Sequence, residues 1–218
     1  MAPVQRGKMP IAITLATLVV SIATQGNIPS TLADRVTREA DAIWSPAGVT
    51  FLWNRRPVVA ASGVNVLIGP ALGTRREPGI DEPLGWILFE NGQPTPEIYL
   101  SYANAVDLLQ SSRGVVGSTT NMPPIEREIY VGRALGRALA HELGHYLLGS
   151  KMHTQSGLMR ATRNAYEFFS AEHTRFAVTH EERLSAEARL AAERVADAAP
   201  TPAPAPARTM RRRASPHS

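Results

Sequence analysis

The sequence predicts a domain of the α/β (or α+β) class, in which a mixed, twisted β-sheet is backed by one helix and crossed by a second, longer helix. Three observations predict it. Short β-branched runs recur between turn signals, two segments carry apolar residues at helical spacing, and the elements follow the order strand, helix, four strands, helices. With 218 residues, 44% of them hydrophobic, the chain is long and apolar enough to bury a core.

The strands are predicted where β-branched and aromatic residues lie between Gly, Pro or Asn. They cover residues 18–22, 49–53, 64–68, 85–89 and 97–101. Asn91-Gly92, between the last two strands, is a strong signal for a tight turn, here within a loop longer than two residues.

Helices are predicted over five segments, and apolar residues that recur every three or four positions are clearest in the first and in the long one. They cover residues 31–44, 103–111, a long segment from Pro123-Pro124 to Gly149, residues 165–173 and residues 180–198. The long helix carries a four-residue apolar spacing, and Gly149 is its natural C-terminal stop. The last helix has a thin apolar stripe formed by Leu184, Ala188, Ala191 and Val195.

The N-terminal segment, residues 1–16, has features of a weak signal peptide, because Arg6 and Lys8 precede an apolar stretch. Residues 18–22 nevertheless favour a buried strand, so we assign residues 17–198 to the folded domain. The apolar stretch is too short for a stable membrane span. An extracytoplasmic location is favoured over a cytoplasmic one.

The C-terminal segment, residues 199–218, is a Pro/Ala repeat followed by arginines and is predicted to lie outside the fold. Its arginines, Arg208 and Arg211 to Arg213, account for the whole net charge of +4, which leaves residues 1–207 formally neutral. The net positive charge therefore gives no reason to expect a nucleic-acid partner, and the sequence contains no recognisable nucleic-acid-binding motif.

The chain contains no cysteine. This excludes disulfides, thiolate metal sites, iron–sulfur clusters and cysteine nucleophiles. Any bound metal must therefore be held by His, Asp or Glu.

The long helix holds one motif with a chemical meaning, His141-Glu142-Leu143-Gly144-His145, which has the form H-E-x-x-H. Residues four apart lie above one another on a helix, so both imidazoles can supply corners of one tetrahedral Zn²⁺ site. Glu142 is offset from them and can accept a proton from a zinc-bound water that attacks a carbonyl. The motif thus predicts metal ligands at His141 and His145 and a catalytic general base at Glu142.

A catalytic zinc site needs a third protein ligand, for which the sequence offers more than one candidate. Gly149 lets the chain leave the helix and turn back, which can bring His153 to the metal. Glu167 and Glu172, in the next predicted helix, are the alternatives, as in gluzincin-like peptidases. Their plainer interpretation is a solvated helix face.

Residues 141–159 resemble the metzincins, whose pattern H-E-x-x-H-x-x-G-x-x-H precedes a methionine-containing turn. Gly149 and His153 resemble the glycine and third histidine, although each gap here is three residues instead of two. Gly157-Leu158-Met159 is similar to the methionine turn. The departure in spacing indicates a divergent, metzincin-like group, and the resemblance extends over about residues 17–185.

The resemblance implies a zincin-like fold and a zinc-dependent endopeptidase, with His153 as third ligand and Met159 as an apolar floor beneath the metal. It also implies that a peptide or protein substrate pairs with an edge strand, for which residues 97–101 are the candidate. The hypothesis from another class is a non-catalytic metal-binding or scaffold protein. The sequence does not indicate the oligomeric state.

Overall fold

The computed structural model describes residues 16–58, 63–70 and 83–198. The predicted signal-like stretch before residue 16 and the predicted tail from residue 199 lie outside these ranges. Within them the chain forms a five-stranded mixed sheet with several helices, which confirms the predicted α/β class. In the same ranges, no helix combines the length and the apolar character that crossing a bilayer requires.

Most predicted elements are present, with bounds that differ by a few residues. The strands are β1 (Ala16–Thr24), β2 (Val49–Asn54), β3 (Gly63–Gly69), β4 (Gly85–Glu90) and β5 (Gln93–Ser101). The helices are α1 (Ser30–Trp44), α2 (Tyr102–Ser111), α3 (Arg113–Val116), α4 (Pro124–Leu148), α5 (Ala165–Phe169) and α6 (His180–Ala198). Helix α3 was not predicted, and α5 is shorter than the predicted helix over residues 165–173.

The strand order is β2-β1-β3-β5-β4. Strand β1 runs parallel to β2 and to β3, β3 runs parallel to β5, and β4 pairs antiparallel with β5. The predicted strand over residues 18–22 lies within β1, an interior strand of the sheet whose Val20 and Ile22 side chains are buried. Interior parallel strands are apolar on both faces, which agrees with the mostly apolar run from Leu18 to Ile22.

The predicted edge strand is wrong. Residues 97–101 belong to β5, which is paired on both sides, and the edge strand on this side of the sheet is β4. The turn at Asn91-Gly92 folds β4 back along β5, and no strand among the described residues pairs with its other side.

This turn also differs from the prediction, because its loop is only two residues long. Asn91 (φ 51°) and Gly92 (φ 80°) both adopt left-handed backbone, as a type I′ hairpin requires. Strand β5 begins at Gln93 and includes Pro94 and Pro96, which disguise it in the sequence. Strand β3 pairs with residues 97–101 of β5, so among the described strands both prolines have β4 alone as a neighbour.

Helix α4 packs against α1, β4 and β5 and anchors the site described below. Its predicted apolar stripe is buried, with members Val131, Leu135, Leu139, Leu143 and Leu147. The buried Trp44 at the end of α1 donates its indole N–H to the Ala140 carbonyl (3.0 Å). This bond joins α4 to α1 at the residue that precedes His141.

Helix α6 confirms its predicted span but not its predicted apolar stripe. Leu184 and Val195 are exposed, whereas Ala186 and Leu190 are buried. Glu182 at the same spacing is also buried, because its carboxylate accepts from the Thr179 backbone N–H in a helix cap (2.8 Å). The buried face of α6 thus includes a charged capping residue, Glu182, which a search for apolar spacing does not find.

Candidate active site

Helix α4 and the loop after it bring three histidines together. His141 and His145 occupy successive turns of α4, and Gly149 ends the helix in left-handed conformation (φ 60°). The chain then turns back and places His153 beside them. Ring centroids are 4.7 Å apart for His141 and His145, 5.2 Å for His141 and His153, and 4.9 Å for His145 and His153.

The hydrogen bonds of the two helical histidines fix which ring nitrogen is free. His141 Nδ1 lies 2.9 Å from the Leu158 carbonyl oxygen, and His145 Nδ1 lies 2.7 Å from the Ser150 carbonyl oxygen. Because a carbonyl oxygen can only accept, each Nδ1 carries the proton and donates it. The lone pair of each ring is therefore on Nε2, where a metal ligand needs it.

Burial keeps both helical imidazoles neutral. Desolvation lowers the pKa of His141 to about 4, against the opposing effect of its hydrogen bond to Leu158. Desolvation also lowers the pKa of His145. A metal ion competes with protons for these nitrogens, so a low pKa favours metal binding at neutral pH.

The donor set fits zinc. One ligand atom from each of His141, His145 and His153 lies within 4.8 Å of the other two. A zinc ion holds imidazole nitrogens at about 2.0–2.1 Å, so two of its ligands lie at most ~4.2 Å apart. The exposed His153 ring can make the small shift this requires. Three nitrogen ligands leave a position open for water or substrate, which is typical of catalytic zinc sites.

Glu142 lies beside the histidines with its side chain almost wholly buried and lining the same cleft. Desolvation raises the pKa of its carboxyl group to about 8, against a backbone hydrogen bond from Ile87 in β4. The first residue of that strand, Gly85, leaves no room for a side chain. A Cβ there would lie 2.7 Å from Leu100 Cδ2 and 3.3 Å from Glu142 Cγ.

The turn at residues 157–159 supports the site from below. Met159 is buried under α4, and a Cβ at Gly144 would lie only 2.3 Å from its Sδ. The Leu158 carbonyl accepts from His141, and the Met159 carbonyl accepts from the Thr154 N–H (2.9 Å), next to His153. One turn is therefore bonded both to a histidine on the helix and to the loop that carries the third histidine.

The histidines open onto a cleft of about 1240 Å³. Its walls include residues 85–89 of the edge strand on one side and residues 160–163 on another, with His141, Glu142 and His145 between them. A cleft of this size, with a free strand edge along it, can hold an extended peptide.

The two alternative ligands lie elsewhere. Neither Glu167 nor Glu172 belongs to the metal-ligating group found among the described residues. Glu172 is exposed, as a solvated helix face would predict. Glu167 is buried, which that interpretation did not predict, and its carboxylate is paired with Arg160, Arg163 and Arg175.

Two buried arginines of the cleft were missed in the sequence. Arg137, one turn before His141 on α4, is fully buried and donates to Glu39 Oε1 (2.7 Å) and to the carbonyls of Ser170 (2.9 Å) and Glu172 (3.0 Å). These bonds join the segment just after α5 to α4. The available signal was a charged residue within an apolar helix. Nothing local in the sequence indicates burial of Arg163.

Comparisons with known proteins add one similar structure. No protein-family model and no curated protein matches the chain. A solved structure similar to it is that of archaemetzincin from Methanopyrus kandleri, with 13% sequence identity and a TM-score of 0.47. The match covers 81% of this chain and 97% of that chain. The roles of individual residues rest on the geometry described above.

Proposed function

We propose that this protein is a zinc-dependent, metzincin-like peptidase. His141, His145 and His153 would hold the metal, and Glu142 would act as the general base. The observation that carries the proposal is the convergence of three imidazoles beside a buried carboxylate in one cleft. When bound, zinc would polarise the scissile carbonyl, lower the pKa of the attacking water and favour the ionised form of nearby acids.

The remaining chemistry belongs to the chain itself. Glu142 accepts the proton of the attacking water on a carboxylate oxygen and then donates it to the leaving amine. A group performs this exchange best when its pKa lies near the working pH, and the surroundings of Glu142 already bring its pKa to about 8. The backbone of Ile87, in the opposite wall of the cleft, favours the ionised carboxylate and partly offsets the effect of burial on the pKa of Glu142.

We propose that the substrate lies in extended form along β4. This strand is one of the two edge strands of the sheet, and its residues 85–89 line the cleft beside Glu142. Backbone pairing with an edge strand holds a peptide regardless of its sequence, and side-chain pockets then set the preference.

The test is the Glu142→Gln variant, which keeps the shape of the side chain and removes the base. We expect wild-type, zinc-loaded protein to hydrolyse an unfolded protein substrate and the variant to lose about 10²–10⁴-fold in rate. Zinc content should be unchanged, because Glu142 is not a ligand. Rates would be measured by separating cleavage products, and zinc by elemental analysis of the same samples.

Two outcomes would count against the proposal. A variant as active as the wild type would show that Glu142 is not the base. A wild type that binds zinc but cleaves no unfolded substrate would favour a non-catalytic metal-binding protein.

A further inference from the structure

We propose that Arg163 is a positioning residue of the metal site, which holds the Leu158 carbonyl that orients the His141 ring. The inference rests on the proposed zinc-binding function. It adds a residue outside the H-E-x-x-H motif, 22 positions after His141 in the chain.

The Leu158 carbonyl oxygen is shared between two donors. His141 Nδ1 donates to it at 2.9 Å, and Arg163 Nη2 donates to it at 3.0 Å. A carbonyl oxygen has two lone pairs and can accept both bonds. The same Nη2 also donates to the neighbouring Gly157 carbonyl, so one guanidinium nitrogen holds two successive carbonyls of the turn.

Arg163 is itself rigidly held. Its side chain is only 4% exposed, and its guanidinium carbon lies 3.8 Å from the centre of the Phe176 ring. Its Nη1 donates to the Arg175 carbonyl (3.2 Å), and the Glu167 carboxylate lies 3.8 Å away. Because the planar guanidinium is stacked and bonded on several sides, the direction of its Nη2 bonds is fixed.

The turn at residues 157–159 is not part of α4, so its position depends on bonds to other segments. His141 belongs to α4, but its acceptor belongs to a turn that is joined to the segment after α5, through the Leu158 N–H and the Ala177 carbonyl (3.0 Å). Arg163 adds a charged donor to this junction, and hydrogen bonds from charged donors are stronger than neutral ones. The Met159 carbonyl meanwhile holds the Thr154 N–H, so a displaced turn would also disturb the loop of His153.

The experiment compares three variants of the full chain. Arg163→Met removes both carbonyl bonds and keeps an unbranched stem. Arg163→Lys keeps a charge that can reach one carbonyl at most. The control, Arg175→Met, removes an arginine that also lies against Glu167 (3.7 Å) but, among the described residues, makes no bond to the Leu158 carbonyl.

Three quantities would be measured. The zinc Kd comes from competition with a chromophoric chelator, the absorption spectrum of the Co²⁺-loaded protein reports ligand geometry, and urea unfolding of the metal-free protein reports stability. A merely structural role for Arg163 would lower stability and leave the Kd and the cobalt spectrum of the folded protein unchanged.

We expect Arg163→Met to raise the zinc Kd about 10–100-fold and to alter the cobalt spectrum, as loss of a metal-site supporting bond does. Arg163→Lys should fall between this variant and the wild type, and Arg175→Met should match the wild type. If Arg163→Met does not fold, Arg163→Lys becomes the test variant. A zinc Kd clearly higher than that of Arg175→Met then supports the inference.

The inference is overturned if the folded Arg163 variants bind zinc as tightly as Arg175→Met with the same cobalt spectrum. That result would leave the proposed function intact. A wild type that takes up neither zinc nor cobalt would instead overturn the proposed function, and the positioning role with it.

Discussion

Among single residues, Glu167 shows how a candidate ligand can have a different task. Its buried carboxylate neutralises arginines at positions 160, 163 and 175 and caps α5 with Asn164. Burial alone would raise the pKa of Glu167, but the Asn164 backbone bond and the nearby arginines lower it below its usual value. The carboxylate therefore stays ionised and holds the segment behind the cleft together.

Glu167→Ala should consequently destabilise the protein without touching the metal site directly. Removing one partner leaves the nearly buried Arg163 charge unpaired, and such losses cost about 3 kcal/mol of unfolding free energy. Glu172→Ala, in the same segment but exposed, should stay within about 0.5 kcal/mol of the wild type. Urea unfolding measures both, and equal stabilities for the two variants would show that the arginine cluster does not need Glu167.

At the scale of elements, the contact between α1 and α4 positions the motif helix. Gly132 and Gly136 lie one turn apart on α4, directly against α1. A Cβ on Gly132 would lie 2.7 Å from Arg35 Cβ. A Cβ on Gly136 would lie 2.4 Å from Glu39 Cβ and 2.8 Å from the Val36 carbonyl oxygen. The two helices therefore approach closely just before the residues that bear the histidines.

Gly136→Ala tests this contact. Alanine favours a helix by about 1 kcal/mol over glycine, but overpacking against a backbone carbonyl costs about 1–3 kcal/mol. Because the Val36 carbonyl belongs to the α1 backbone and cannot move aside on its own, we expect the cost to exceed the gain, with a net destabilisation of up to about 2 kcal/mol in urea unfolding. The matched control is Gly114→Ala in α3, where a Cβ meets no atom within 4 Å, and this change should be neutral or mildly stabilising. A Gly136→Ala variant as stable as the control would contradict the close approach.

Elements with a local signal could be predicted from the sequence. Apolar periodicity indicated α1 and α4, and Gly149 marked the end of α4 where the structure has it. The edge strand could not be predicted, because strand order depends on long-range pairing and prolines obscured the start of β5. The apolar face of α6 was wrong for a related reason, since a capping carboxylate lies on its buried side.

For the whole molecule, the sequence predicted that the three histidines lie together, but not the hydrogen bonds and ion pairs that hold them in place. The i, i+4 spacing of His141 and His145 is a local property of a helix, and the return of His153 follows from Gly149. The Leu158 and Ser150 carbonyls that orient the rings come from backbone, and no side-chain pattern records them. The buried position of Arg137 depends on partners 30 residues or more away in the chain, such as Glu167.

The measurement that tests the central claim most directly is zinc titration of the metal-free protein, with His153→Ala and Glu172→Ala alongside the wild type. The geometry predicts about one zinc per chain for the wild type and for Glu172→Ala. His153→Ala, which loses one of three ligands, should bind at least about tenfold more weakly, equivalent to ~1.4 kcal/mol. A wild type that takes up no zinc, or a His153→Ala variant with unchanged affinity, would contradict the three-histidine site.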